Sequence, residues 1–224
     1  MSAIAIIPSA PVLVPQLGGA AADEIADLRQ AVFTVASALP DRWVAVGGGT
    51  TDEVLGPAAA GTFAGYGVDV PVVLSPDADD VGEMPEMPLC ALIAGWVRGE
   101  VRPHARVEVR VFAHGSDANG RELRTELDQT DEPVGVLVVA DGANTLTERA
   151  PGGYDPASIS MQAALDDALA TGDVAALAEA PPSITGRAAW QVLAGLAGKG
   201  PREAREHYRG APFGVGYFAG LWIP

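Results

Sequence analysis

Short apolar runs alternate with amphipathic stretches along this sequence. Runs rich in β-branched residues predict buried strands, and the clearest of them is Val134–Ala140. Three further runs are predicted to join the same sheet: Ala3–Ile7, Trp43–Val46 and Val107–Ala113. Apolar residues spaced three and four apart between Ile25 and Leu39 predict a helix. Alternating strands and helices predict one α/β domain over residues 1–224, with a mostly parallel or mixed central sheet flanked by helices.

The remaining elements follow from the same patterns. A strand is also predicted at Val68–Leu74, the third along the chain, where Pro71 indicates a sheet edge or a bend. The last apolar segment, Gly214–Ile223, is predicted as a strand or an extended tail. Helices are predicted at Leu89–Val97, Arg121–Leu127, Ser158–Ala170, Val174–Ala180, Gly186–Ala197 and Arg202–Tyr208.

Charge excludes two classes of partner. The formal net charge is −15, and Lys199 is the only lysine. Because phosphate contacts depend on Arg and Lys, we expect neither nucleic acid nor an anionic membrane surface as a partner. Arg202, Arg205 and Arg209 are candidates for a small-anion site, although a solvated helix face explains them better.

The location expected from the sequence is the cytoplasm. The N-terminus lacks the positive region of a signal peptide, and no apolar stretch reaches the ~20 residues of a spanning helix. The single cysteine, Cys90, fits a reducing compartment and is most simply a small buried hydrophobe.

Polar or glycine-rich loops follow four predicted strands. In open α/β sheets, ligands bind beyond the carboxyl ends of the strands, so these loops predict one shared cleft. His114 would titrate there near neutral pH and Asp141 is the nearest carboxylate, which makes them, with Asn144, the candidate catalytic residues. The candidate pocket residues are Ser9, Gly48, Gly49, Thr50 and Tyr154. The competing interpretation is that these are ordinary turn residues.

Metal-binding and nucleophile motifs are missing from the sequence. The three histidines form no paired motif, and no Gly-x-Ser-x-Gly elbow or Walker A lysine occurs. An acidic cluster lacks the EF-hand spacing and is better explained as a solvated loop: Asp77, Asp79, Asp80, Glu83 and Glu86. No metal ligand and no cofactor are therefore predicted.

Four segments, in order, resemble one known family. They are Pro8–Gly19, Gly120–Leu123 with Val134–Ala140, Pro151–Pro156 and Pro212–Tyr217. The family is the class III extradiol ring-cleavage dioxygenase B-subunit-like superfamily, to which Memo-type proteins are related. Its active members hold Fe(II) through two histidines and a carboxylate, so the resemblance implies the same fold and, in principle, iron.

The sequence departs from this family at the metal site. The position of the first ligand histidine is Ser9, and that of the second falls in Gly48–Thr50, where there is none. The family's acid–base histidine is also missing from the segment that matches Asp141–Leu146, and the carboxylate ligand has no confident match near Pro182–Arg187. The resemblance therefore predicts a member with a degenerate metal site that keeps the fold but not the iron chemistry.

Three functions remain open at this level. The first is a non-iron homologue that binds a small molecule or a protein at the old pocket. The second is an active metal-dependent oxidoreductase that uses other ligands, with His114, Asp141 and Asn144 at work. The third is a non-catalytic subunit of a hetero-oligomer. A homo-oligomer is compatible with each.

Overall fold

The computed structural model describes residues 1–19, 23–78 and 86–224. The strands are β1 Ala3–Ile7, β2 Arg42–Gly48, β3 Glu53–Leu55, β4 Ala60–Thr62, β5 Pro71–Val73, β6 Arg106–Phe112, β7 Gly135–Val139, β8 Glu203–Gly210 and β9 Tyr217–Ile223. The helices are α1 Pro15–Gly18, α2 Ala26–Ser37, α3 Leu89–Val101, α4 Asp117–Asp128, α5 Ala157–Thr171, α6 Val174–Ala178 and α7 Arg187–Ala197. Two 3-10 turns span Pro11–Leu13 and Phe63–Tyr66.

A mixed seven-stranded sheet lies at the centre of the fold. Its order is β3-β6-β2-β7-β1-β9-β8, and the four strands β6, β2, β7 and β1 are parallel. The other three are antiparallel to their neighbours and complete both edges. The predicted α/β class and the shared sheet are confirmed, and β7 lies in the middle of the sheet as expected from its uninterrupted apolar run.

The sheet separates two hydrophobic cores. In β1, Ala3, Ala5 and Ile7 face the core that contains α2 and α3, and Ile4 and Ile6 face the core that contains α7. All five residues of this strand are buried. Because both of their faces are covered, β1 and β7 are buried at every position, without the polar alternation of an exposed strand.

The segment predicted as the helix Arg202–Tyr208 is instead the strand β8. It pairs antiparallel with β9, and Ala204 lies opposite Trp222 across the pair. The backbone N–H and C=O groups along the outer edge of β9 are paired by this segment. These long-range hydrogen bonds override the local helical pattern. The arginines consequently do not form a helix face: Arg205 pairs with Glu203, and Arg209 pairs with Asp167 at 2.8 Å and with Glu206.

The strand predicted at Val68–Leu74 is shorter and belongs elsewhere. Only Pro71–Val73 forms a strand, and it pairs with β4 in a separate two-stranded sheet. Pro71 lies at its first position, where a missing N–H donor is tolerated. Within the described ranges, no helix is long and apolar enough to cross a bilayer.

Candidate functional site

The carboxyl ends of the four parallel strands meet at one edge of the sheet. Ile7 of β1 and Gly47 of β2 both lie in register with Val139 of β7, and Gly48 lies beside Phe112 of β6. The four loops that follow these strands therefore leave the sheet at the same edge. They carry Ser9, Gly48–Thr50, His114 and Asp141.

Ser9 and Asp141 are in direct contact at this edge. The backbone N–H of Ser9 donates a hydrogen bond of 2.8 Å to Oδ1 of Asp141. Burial of the carboxyl group raises the pKa of Asp141 from 3.8 to about 7, although the bond from Ser9 works in the opposite direction. Asp141 is thus a carboxyl group that can hold or release a proton near neutral pH, and both residues keep partial contact with solvent.

The backbone around Asp141 is held by two other segments, the start of α7 and the stretch around Gly216. Its carbonyl oxygen accepts hydrogen bonds from Gly186 N at 2.9 Å and from the Trp190 indole at 3.2 Å. Gly142 N donates a hydrogen bond of 2.8 Å to the carbonyl oxygen of Gly216. Gly216 N donates one of the same length to the carbonyl oxygen of Ala143. These contacts over-determine the loop, so the position of the carboxyl group is preorganised.

Tyr217 lies in the electrostatic neighbourhood of the same carboxyl group. Burial raises the pKa of Tyr217, and the charge of Asp141 raises it further. The Tyr217 hydroxyl therefore remains protonated near the Asp141 carboxyl group.

Gln162 of α5 supports the loop from below. Its Oε1 accepts the N–H of Ala143 at 2.7 Å, and its Nε2 donates to Oδ1 of Asp166 at 2.8 Å. A Cβ atom on Gly142 or on Gly216 would lie 2.0 or 2.2 Å from the nearest Gln162 atom, so the amide side chain fits only between two glycines. The sequence analysis did not identify Gln162, and Gly142 and Gly216 are the related signals in the sequence.

Packing explains two of the three glycines at the end of β2, Gly47 and Gly49. A Cβ atom on Gly47 would lie 2.3 Å from Cβ of Cys90, and one on Gly49 would lie 2.4 Å from Cγ1 of Val111. Burial raises the pKa of the Cys90 thiol to about 12, so it stays a neutral, buried side chain. Gly48, Gly49 and Thr50 are exposed beside the end of β7 and can reach a ligand only through backbone groups and the Thr50 hydroxyl.

His114 is exposed, and its neighbours in the loop have structural tasks. Ser116 caps α4 in a reciprocal pair with Asn119, and Asp117 pairs with Arg121. Neighbouring strands lie about 4.8 Å apart, and β2 separates β6 from β7, so the ends of the strands that carry His114 and Asp141 are about 10 Å apart. Among the described residues, no hydrogen bond or ion pair links His114 to Asp141.

Asn144 and Tyr154 lie further along the loop that follows β7. The carbonyl of Asn144 accepts the N–H of Gly152 at 3.0 Å, and Tyr154 is half exposed. In the part of the chain that the structure describes, neither side chain bonds to Asp141. Of the predicted residues, only Ser9 and Asp141 are thus joined directly.

The donor set at this edge does not fit Fe(II). The two histidine positions implied by the family resemblance hold a serine and a stretch of exposed backbone, which supply no imidazole. The described residues include no group of three or more His, Cys, Asp or Glu placed to hold a metal. Of the acidic cluster, Asp79, Asp80 and Glu83 lie outside the described residues, whereas Asp77 pairs with Arg106.

Comparison with known proteins defines the fold and nothing finer. No protein-family model and no curated protein matches the chain. The crystal structure of the uncharacterized protein JW3007 from Escherichia coli K12 is similar, with a TM-score of 0.59 and 11% identity over 99% of this chain and 100% of that chain. The class defined here is therefore a mixed α/β protein with polar loops at the carboxyl edge of its parallel strands.

Proposed function

We propose that this chain is a divergent relative of the class III extradiol dioxygenase B-subunit-like superfamily that binds a small molecule at the carboxyl edge without iron-dependent ring cleavage. The observation that carries the proposal is the contact between Ser9 and Asp141. It places one preorganised carboxyl group, with a pKa of about 7, where open α/β sheets bind ligands.

The chemistry of this carboxyl group indicates the kind of ligand. Near neutral pH it exchanges between a form that donates a hydrogen bond and a form that only accepts. The exposed backbone of Gly48 and Gly49 and the Thr50 hydroxyl add further polar groups one strand away. A ligand with vicinal hydroxyl groups, such as a catechol, would match such a set and would agree with the family resemblance.

The proposal can be tested by titrating the metal-free, full-length chain with catechol under anaerobic conditions. Amide signals of Ser9 and Gly142, followed by nitrogen-resolved NMR, are expected to shift and to saturate. Asp141→Ala is expected to weaken binding about tenfold, because it removes a charge-assisted hydrogen bond. Asp128→Asn is the control, because Asp128 is an exposed carboxylate at the far end of α4.

Two results would contradict the proposal. One is an absence of saturable shifts at Ser9 and Gly142 with catechol at millimolar concentration. The other is binding of equal strength in the wild type and in the Asp141→Ala variant.

One observation favours a second candidate, an enzyme that uses Asp141 in proton transfer. General acid–base catalysis works best when the pKa of the group lies near the working pH, and the pKa of Asp141 is about 7. Turnover by such an enzyme would follow the ionisation of Asp141 and would be lost in Asp141→Asn, which keeps the shape of the side chain but cannot transfer the proton.

A further inference from the structure

A cleft opens at the opposite, amino edge of the sheet. It encloses about 690 Å³, within the range of small-molecule sites. The amino ends of β2 and β6, one face of α4 and the loops before β2, β6 and β7 form its walls. None of the residues predicted for the carboxyl edge lines it.

The floor of this cleft is apolar. Val44, Leu123 and Leu127 line it, and each is at most 5% exposed. These side chains offer a small apolar contact surface to a ligand at the bottom of the cleft.

The wall is rich in arginine. Four arginines line the cleft, of the fourteen basic residues in a chain whose net charge is −15: Arg42, Arg102, Arg106 and Arg110. Glu108 and Glu126 hold Arg110 at 2.6 and 3.0 Å, and Asp41 together with the Ser37 carbonyl holds Arg102. Arg110 and Arg102 are thus fixed parts of the wall.

The other two arginines form a like-charge pair across adjacent strands. Arg42 of β2 and Arg106 of β6 are direct register partners, and both face this cleft. Neighbouring parallel strands lie about 4.8 Å apart, and like charges opposite each other destabilise a sheet. Each guanidinium has one carboxylate partner, Glu132 at 3.1 Å for Arg42 and Asp77 for Arg106, and each pair is at least half exposed.

We propose that this cleft binds a small organic anion, with its phosphate or carboxylate group between Arg42 and Arg106 and its apolar body over Val44 and Leu127. An anion in this position would relieve the repulsion between the two guanidinium groups. Guanidinium groups offer paired N–H donors that match phosphate and carboxylate oxygens. The exposed pairs with Glu132 and Asp77 compete only weakly, because solvated ion pairs add little stability.

Phenyl phosphate is the probe, titrated into the full-length, nitrogen-15-labelled chain. The backbone N–H groups of Val44 and Leu127, two residues that line the cleft, report binding by NMR. We expect a saturable shift with phenyl phosphate or benzoate, and much weaker binding with inorganic phosphate or with phenol, since each of these lacks one half of the ligand.

Two variants make opposite changes at the same arginine. Arg42→Gln removes one guanidinium and is expected to weaken the binding of phenyl phosphate about tenfold. Glu132→Gln releases Arg42 from its carboxylate and is expected to tighten binding about two- to fivefold. A gain of binding cannot come from misfolding, so the second variant guards against that explanation of the first. Arg205→Gln, at an exposed ion pair on β8, is the control and is expected to bind as the wild type does.

The proposal is overturned if the backbone N–H signals of Val44 and Leu127 do not shift in a saturable way. It is also overturned if phenol binds as tightly as phenyl phosphate, or if neither Arg42→Gln nor Glu132→Gln changes the affinity. Binding that is weakened equally by Arg205→Gln would point to unspecific attraction and would overturn it as well.

Discussion

Replacing Asp141 by asparagine tests whether the carboxyl edge holds a carboxyl group that resists ionisation. Asparagine keeps the shape and can still accept the hydrogen bond from Ser9 N, but it carries no charge at any pH. The folded chain raises the pKa of Asp141 from 3.8 to about 7, so folding favours the protonated carboxyl. The stability from this preference is complete below about pH 4 and is lost as the pH rises through about 7.

The size of the effect follows from that range. Between pH 5.5 and the pKa of about 7, the free energy of unfolding of the wild type falls by about 1.36 kcal/mol for each pH unit, because only the unfolded chain is ionised at Asp141. Over this range of about 1.5 pH units the loss is about 2 kcal/mol. The free energy of unfolding of Asp141→Asn, measured relative to the wild type, is therefore expected to rise by about 2 kcal/mol between pH 5.5 and pH 8. Burial also raises the pKa of Asp166, to about 6, but both proteins contain this residue and its contribution cancels.

Urea unfolding followed by circular dichroism at several pH values measures this difference. Asp52→Asn is the matched control, because Asp52 also accepts a backbone N–H, from Ala113 at 2.7 Å, but is exposed to solvent. Its difference from the wild type should stay nearly constant across the pH range. If the difference for Asp141→Asn is equally constant, the reasoning about a desolvated carboxyl group is refuted.

Two further predictions concern iron and the support of the loop. After anaerobic reconstitution with Fe(II), the protein is expected to produce no ring-cleavage product from catechol or protocatechuate, because Ser9 and Gly48–Thr50 supply no imidazole; product that disappears on mutation of a named residue would contradict this. Gly216→Ala is expected to cost about 2–3 kcal/mol, since its methyl group would overlap Gln162, and Gln162→Ala a similar amount, since it leaves Ala143 N unpaired. In urea unfolding, the double variant should lose less stability than the sum of the two single variants. Gly65→Ala is the control, because Gly65 has open space around it. Strictly additive losses would contradict the packing of Gln162 against Gly216.

The sequence by itself determined the fold class and the strands that form its centre. Ala3–Ile7 and Val134–Ala140 are apolar at nearly every position, which requires burial on both faces and hence helices on both sides of parallel strands. Parallel strands necessarily end at the same edge. The strand pattern predicted a shared edge for Ser9, Gly48–Thr50, His114 and Asp141 on condition that the strands run parallel, and the observed pairing of β6, β2, β7 and β1 meets that condition.

Tertiary structure alone decided which of these residues meet and what their environment is. The bond from Ser9 to Asp141, the wedge of Gln162 between two glycines and the pairing of β8 with β9 all join residues distant in the chain. So does the opposition of Arg42 and Arg106, which depends on the register of two strands. A local sequence pattern reflects only the periodicity and the composition of one segment. Long-range pairing and burial are decided by the other segments packed against it, and they override local preference where the two conflict.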